Sequence, residues 1–333
     1  MTDTVTGTPP MQNSSRRLVD LAIEYNFILI FLVVVAIAAI LSPNFLTATN
    51  ISNLFQQAAV TGVVAIGMTF VILTGNIDLS VGSVTALCGM LVAVLLVGGM
   101  PILPALAITI LAGAVAGAAI GAITAFAEVP SFIVSLAGLV SFRGITYLLT
   151  DGTPVAGLPP GFGAISSTMI PLFPGAQVST MGLIFVVLCI VAGALLRLTV
   201  FGESVYATGG NAEAARLSGI PTTRILVLVF TVSGVMSALA GILLTSRLRI
   251  GQPTAAQGLE LDAIAAVVLG GTSLFGGRGG VLGTFFAVML LQVLRNIFNL
   301  LGLGSFYQMT VTGLIIVAAI LLNRFIDIRR GQA

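Results

Sequence analysis

The sequence contains no histidine and no tryptophan, and all 13 of its basic residues are arginine, so it has no lysine either. Each absence removes a class of chemistry. Without His there is no imidazole proton relay, no His metal site and no Ser-His-Asp nucleophile. Without Lys there is no phosphate-binding loop of the GxxxxGK[ST] form, so the chain cannot itself be a P-loop ATPase. The two cysteines, Cys88 and Cys189, each sit inside an apolar run with no metal-ligand spacing, and read as small buried hydrophobes. Charged residues make up only 7% of the chain, and a net charge of +2 gives no basis for a nucleic-acid partner. No metal site and no bound cofactor are expected.

What fills the chain instead is apolar. Hydrophobic residues are 57% of 333, the mean hydropathy is +1.15, and many runs approach the ~20 residues that cross ~30 Å of hydrocarbon. The fold class is an all-α polytopic membrane protein. About ten segments are legible, at roughly 26–41, 58–74, 80–97, 103–126, 131–149, 181–200, 225–245, 260–271, 281–300 and 304–323. The eighth is too short to span as a straight helix, so eight crossings plus re-entrant pieces is the alternative count. Residues 1–20 read as a disordered tail, 21–325 as one transmembrane domain and 326–333 as a second short tail. Arg16 and Arg17 precede the run Phe27–Leu41 much as in a signal peptide. Ser42-Pro43-Asn44 offers no small-x-small cleavage site, however, and an uncleaved first helix is the reading. Threading ten segments with both termini cytoplasmic places Arg16, Arg17, Arg197, Arg216, Arg224, Arg278, Arg324, Arg329 and Arg330 inside, as arginine-rich inner loops require. Arg247 and Arg249 fall outside, against the rule.

Two breaks interrupt the apolar pattern at membrane depth. Thr74–Ser83 (TGNIDLSVGS) brings together Gly75, Asn76, Asp78, Ser80, Gly82 and Ser83, poor in helix interiors and good at caps and turns. Leu269–Gly283 (LGGTSLFGGRGGVLG) holds Thr272, Ser273 and Phe275 beside a glycine-rich turn around Arg278. Irregular backbone at this depth survives only when buried in protein or lining a wet cavity, and an ionisable group there is a functional suspect. Asp78 is therefore either a satisfied helix cap or part of a pathway. Each break leads into an apolar helix of similar length, which suggests a diverged internal repeat with a pathway at the repeat interface. The candidate lining (Gly75, Asn76, Asp78, Ser80, Gly82, Ser83, Thr272, Ser273, Phe275) offers hydroxyls and amides with very few charges, which suits a neutral hydroxyl-rich solute. Glu128, Arg143, Arg295 and Asp262 are further charged positions near membrane segments, read as salt-bridged or interfacial.

Three other stretches stand out. Gly113, Gly117 and Gly121 form a small-residue stripe for close helix contact, inside the subunit or between subunits. The segment 150–180, rich in Gly and Pro, is an outer loop long enough to be functional or a surface linker. The most polar internal segment is Phe201–Arg224, carrying Glu203, Glu213, Arg216 and Arg224. Asn211 can cap a short helix there, with Glu213 in its first turn and Gly219 then Pro221 as its stop. It is a solvated loop or a docking helix for a partner outside the membrane.

The strings GNIDLSVGS (75–83), PSFIVSL (130–136), GGNAEAARLSGI (209–220) and LELDAIAAVVLGGTSLFGGRGGVLG (259–283) resemble, in order, the signatures of ABC-importer permeases of the ribose/xylose/galactose type. The resemblance covers about residues 20–325; such permeases often carry Gly-Gly where this chain has Gly75-Asn76. It implies a permease subunit of an importer for a ribose-like pentose or related monosaccharide, in the bacterial inner membrane. It further implies a second permease subunit (an identical copy or a paralogue), a cytoplasmic ABC ATPase that binds ATP-Mg, and a periplasmic or lipid-anchored sugar-binding protein. By the same resemblance, Gly209, Gly210, Asn211, Glu213, Ala214, Ala215, Arg216, Leu217 and Gly219 form the coupling helix that docks on the ATPase. The chain would then be a transport subunit and not an enzyme. The rival reading is an ion-coupled carrier or channel built on Asp78.

Overall fold

The computed structural model describes residues 26–173 and 176–304, with scattered positions between 306 and 317. Arg16, Arg17, both tails, Arg324 and most of the tenth segment lie outside the described residues. Among the described residues the chain forms twelve helices and one antiparallel hairpin. In order these are α1 (Asn26–Leu41), α2 (Ala48–Leu73), α3 (Val81–Val97), α4 (Ile102–Phe126), α5 (Ser131–Leu148) and α6 (Pro160–Ser167). The hairpin β1 (Met169–Phe173) and β2 (Ala176–Ser179) follows. The second half holds α7 (Thr180–Leu198), α8 (Val200–Gly210), α9 (Ala212–Leu217), α10 (Thr222–Leu248), α11 (Leu259–Leu269) and α12 (Val281–Leu300). Six of them, α2, α4, α5, α7, α10 and α12, are long and apolar enough to cross a membrane, and α1 and α3 are shorter apolar helices.

α2 is the central pillar. From Ala58 to Thr74 every residue but Thr61 is buried, and α7, α10, α11 and α12 pack around it. It starts ten residues before the apolar pattern at 58 suggests. Thr47 caps it by accepting from the Asn50 N–H, and its polar first half is paired across to α12. Asn50 and Asn296 exchange two amide hydrogen bonds of 3.0 and 2.8 Å, and Gln292 donates to Gln57 at 2.9 Å. Further along the same antiparallel contact the Thr69 and Thr284 hydroxyls meet at 2.8 Å. Polar side chains tolerate the membrane when each finds a partner on the next helix, and a hydropathy window sees only that they are polar.

The glycine stripe of α4 is internal. A side chain on Gly113 would press on the Gly234 carbonyl and Ala238 of α10, and one on Gly117 would meet the Phe230 carbonyl. Gly234 in turn faces the Gly113 carbonyl, so both backbones touch directly.

The two ends of the bundle differ. At one, α6 and the hairpin fold over the helix ends: Phe162 is fully buried, Ser246 of α10 donates to its carbonyl at 2.8 Å, and Gln56 of α2 donates to the Ser166 carbonyl at 2.8 Å. The segment read as loop or linker is thus a packed cap. At the other end stand α8 and α9.

The α4–α10 crossing gives a direct test. Gly117→Val inserts atoms where the Phe230 carbonyl already sits, and overpacking costs about 1–3 kcal/mol or more; the purified protein is expected to melt several degrees lower or to fail to accumulate. Gly193→Ala, facing open space on α7, is expected to leave the melting temperature unchanged.

Candidate functional site

The first break begins where α2 ends. Thr74 and Gly75 turn the chain, Gly75 with a positive φ of 74°, and Asn76 donates to the Thr74 carbonyl at 3.0 Å. The next peptide is held by α5: the Ile77 N–H donates to Ser131 Oγ at 3.2 Å and Ser135 Oγ donates to the Ile77 carbonyl at 3.3 Å. Ser131 and Ser135 lie four residues apart, on one face of α5, so PSFIVSL is the strap that satisfies both backbone groups of a residue outside any helix.

Asp78 follows and is only 1% exposed. Its Oδ1 accepts from the Ser80 N–H at 2.9 Å and from Ser80 Oγ at 2.6 Å, while its Oδ2 accepts from Ser233 Oγ of α10 at 2.8 Å. Asp78 thus sits at the start of α3 and ties that start to the middle of α10. Ser83 Oγ returns to the Ser80 carbonyl at 2.8 Å. Gly82 leaves room for the Ala256 carbonyl and the Glu260 carboxylate.

The second break closes on itself. The Thr272 hydroxyl accepts from the Gly280 N–H at 3.3 Å, the Ser273 N–H donates to the Arg278 carbonyl at 3.0 Å, and Ser273 Oγ accepts from the Phe275 N–H at 3.2 Å. Gly276, Gly277 and Gly279 adopt positive φ of 85°, 71° and 120°, backbone that side-chain-bearing residues rarely hold. Thr272 is buried, Ser273 half-buried and Phe275 86% exposed.

The two breaks and the end of α8 meet. The Gly277 N–H donates to the Leu73 carbonyl, the last of α2, at 2.9 Å. Gly75 lies against the Phe275 carbonyl, and Gly276 lies against the Gly75 N–H and the Gly209 backbone. A side chain on Gly209 would run into the Leu73 carbonyl, and Gly277 packs on Gly210. Tyr206 of α8 donates to the Gly279 carbonyl at 2.9 Å, burial raising its phenol above the ordinary range, and Phe201 stacks on Phe70 with ring centres 6.1 Å apart.

Beyond this junction Asn211 accepts from the Ala214 N–H at 2.9 Å and starts α9. The helix closes with the Ile220 N–H on the Ala215 carbonyl and Gly219 at φ 85°. Within α9 only Ala215 is buried; Glu213 and Arg216 pair with each other at 3.0 Å, each 68% exposed, and Leu217 is 79% exposed.

The candidate residues therefore fall into three groups. Asp78, Ser80, Gly82 and Ser83 lie in the interior between α3 and α10. Gly75, Asn76, Thr272, Ser273 and Phe275 form the plate under α8, with Gly209 and Gly210 pressed on it. Asn211 through Gly219 project from that plate. Sequence reasoning gave no role to Ser233 or Tyr206 and took PSFIVSL only as part of the resemblance, without the tasks of Ser131 and Ser135; which backbone group a hydroxyl meets is set by the fold and not by its neighbours in sequence. Arg295 pairs with Asp262 at 2.7 Å, a salt bridge being one of the two placements read for each from the sequence, which named no partner.

The Asp78 contacts predict a graded series. Asp78→Asn keeps an acceptor for Ser80 and an amide that can donate to Ser233, and is expected to retain normal thermal stability in detergent. Asp78→Ala orphans the buried Ser80 N–H and Ser233 hydroxyl, an expected loss of about 1–3 kcal/mol for each unpaired group, read as a lower melting temperature.

Comparison with known proteins agrees with this architecture. Residues 50–320 match the family described as the branched-chain amino acid transport system / permease component. The chain is 47% identical to the ribose import permease protein of Bacillus subtilis, over 88% of this chain and 90% of that one. It is 42% identical to the ribose import permease protein of Escherichia coli over 90% and 93%, and 35% identical to the xylose transport system permease protein of Escherichia coli over 88% and 91%. No solved structure matches. A permease of the ABC type works in general with an ATPase and a binding protein, and is itself a transport subunit rather than an enzyme. With most of its length matched and its helices able to span a membrane, the chain belongs to the ABC-importer permeases of the ribose/xylose type.

Proposed function

We propose that this chain is the membrane-spanning permease of an ATP-driven, binding-protein-dependent importer of a monosaccharide, a ribose-like pentose or a related sugar. The relatives' names supply the substrate class. The observation that carries the mechanism is the seating of α8 on both helix breaks, with α9 exposed beyond it on every side but Ala215. A cytoplasmic ATPase binding ATP-Mg grips α9 through Glu213, Arg216 and Leu217. Its movement passes through Gly209 and Gly210 to the end of α2 and to the Gly276–Gly277 turn before α12 together. The membrane part then needs two arrangements of packed helices, and the ATPase biases between them.

On this reading the α8–α9 end faces the cytoplasm, as do both termini, and the membrane is the bacterial inner membrane. The end capped by α6 and the hairpin receives the periplasmic or lipid-anchored sugar-binding protein. A second permease subunit, identical or paralogous, completes the pathway. An ion-coupled carrier fits less well: Asp78 is only 1% exposed, and both its carboxylate oxygens accept from Ser80 and Ser233 of this same chain, as a buried structural cap does.

Replacing Glu213 and Arg216 together by Ala tests the lever. The pair is exposed and contributes little to folding, so the melting temperature is expected to stay unchanged while ATP-driven uptake falls at least roughly tenfold, as loss of a partner's anchor residues entails. Retained transport, or an ATPase that still purifies stoichiometrically with the variant and stays coupled, would sink the docking role.

A further inference from the structure

Between the end of α10 and the start of α11 the chain enters the bundle without regular structure. At one end Gly251 pairs with Val155 through two backbone hydrogen bonds of 2.8 and 2.9 Å, and a side chain on it would press on Met90 and Ala93 of α3. At the other end Gly82, in the first turn of α3, faces the Ala256 carbonyl and the Glu260 carboxylate. The strip Gly251–Glu260 therefore runs antiparallel to α3 for about 16 Å, the rise of the helix from Gly82 to Ala93 at 1.5 Å per residue. The strip is irregular backbone laid along an apolar helix, and the short α11 continues from it.

This strip is more polar than the outward face of α7. Arg143 of α5 donates from Nη1 to the Pro253 and Ala255 carbonyls at 2.9 and 2.8 Å, and its charge lies within electrostatic reach of Glu260. Thr254 and Gln257 are exposed and Glu260 is half-exposed; among the described residues the side chains of Gln257 and Glu260 make no hydrogen bond. Two residues on, across the helix from Glu260, Asp262 turns to α12, where it pairs with Arg295 in a cleft it shares with Thr61 and Gln292. By contrast α7 turns Val187, Ile190 and Val191 outward. Hydrocarbon against the Glu260 carboxylate and the Gln257 amide leaves their hydrogen-bonding capacity unmet, whereas water or a polar solute satisfies it.

We infer that Thr254–Glu260 is the solute-contacting wall of the translocation pathway, and that its ligand is a neutral polyhydroxylated molecule of the aldose class. This rests on the importer reading above and names the site within it. The Glu260 carboxylate accepts from sugar hydroxyls, and the Gln257 amide both donates and accepts. Arg143 holds the backbone that presents them. Glu260 has the Arg143 charge within reach, so the wall carries hydrogen-bonding capacity without net charge and gives a bare ion no advantage. A few such contacts are enough to admit the solute and weak enough to release it.

The test uses the whole transporter, with its ATPase and binding protein, in proteoliposomes on a Cys88→Ala, Cys189→Ala background. Gln257→Cys is expected to react with a hydrophilic methanethiosulfonate at least roughly tenfold faster than Ile190→Cys on α7, because thiol reactivity follows access to water. Saturating D-ribose with ATP is expected to slow that labelling severalfold. Glu260→Gln is expected to lower D-ribose uptake while the melting temperature and the bound ATPase stay as in the unsubstituted protein. Labelling of Gln257→Cys no faster than of Ile190→Cys overturns the wet wall. Fast labelling that D-ribose leaves unchanged, together with full uptake by Glu260→Gln, overturns the solute contact. Failure of the unsubstituted complex to import D-ribose would instead count against the importer reading, and the labelling contrast would still be read separately.

Discussion

Backbone N–H and C=O groups have nowhere to turn inside hydrocarbon, and this one constraint shapes the molecule. Two helices stop and restart within the bundle, and each stop exposes groups that a regular helix would pair. The chain resolves them by bringing the stops together. The last carbonyl of α2 takes the Gly277 N–H of the other break, Ser131 and Ser135 take both polar groups of Ile77, and Thr272 takes the N–H that opens α12. Three backbones must come within van der Waals contact at that place, which is why Gly75, Gly209, Gly210, Gly276 and Gly277 converge there.

The same rule governs side chains. Asn50 with Asn296, Gln57 with Gln292, Thr69 with Thr284 and Asp262 with Arg295 each join α2 or α11 to α12 by complementary polar groups. Such pairs add little net energy in a membrane but fix register, since a slip by one turn would orphan them. Asp78 does this between α3 and α10. The α4–α10 contact achieves close approach by the opposite means, removing side chains altogether. The interior is thus rigid in discrete ways, and a body of that kind switches between arrangements rather than bending through them.

Force can enter such a body at one point. α8 is fixed to the breaks by the Tyr206 hydrogen bond, the Phe201–Phe70 stack and the glycine contacts, whereas α9 has only Ala215 buried. A partner holding α9 would move the ends of two broken helices at once. In an ABC importer the nucleotide chemistry resides in another subunit.

Much of this was legible in the residues before any coordinates. The absence of His and Lys, the apolar runs and the two Gly- and Asn/Asp-broken strings dictated a polytopic bundle with irregular turns, because apolar runs and helix breakers act locally. Asn211, Gly219 and Pro221 marked the short α9 for the same reason. Partnership was not legible. That the stripe at Gly113, Gly117 and Gly121 faces α10, that the two breaks touch each other and α8, and that the polar start of α2 is helix all depend on contacts between residues tens to hundreds of positions apart. Nor could the sequence divide Asp78, locked by Ser80 and Ser233, from Glu260, whose side chain makes no hydrogen bond among the described residues. A carboxylate beside an apolar run looks the same in either case, and its role is set by which hydroxyls the fold brings within 3 Å of it.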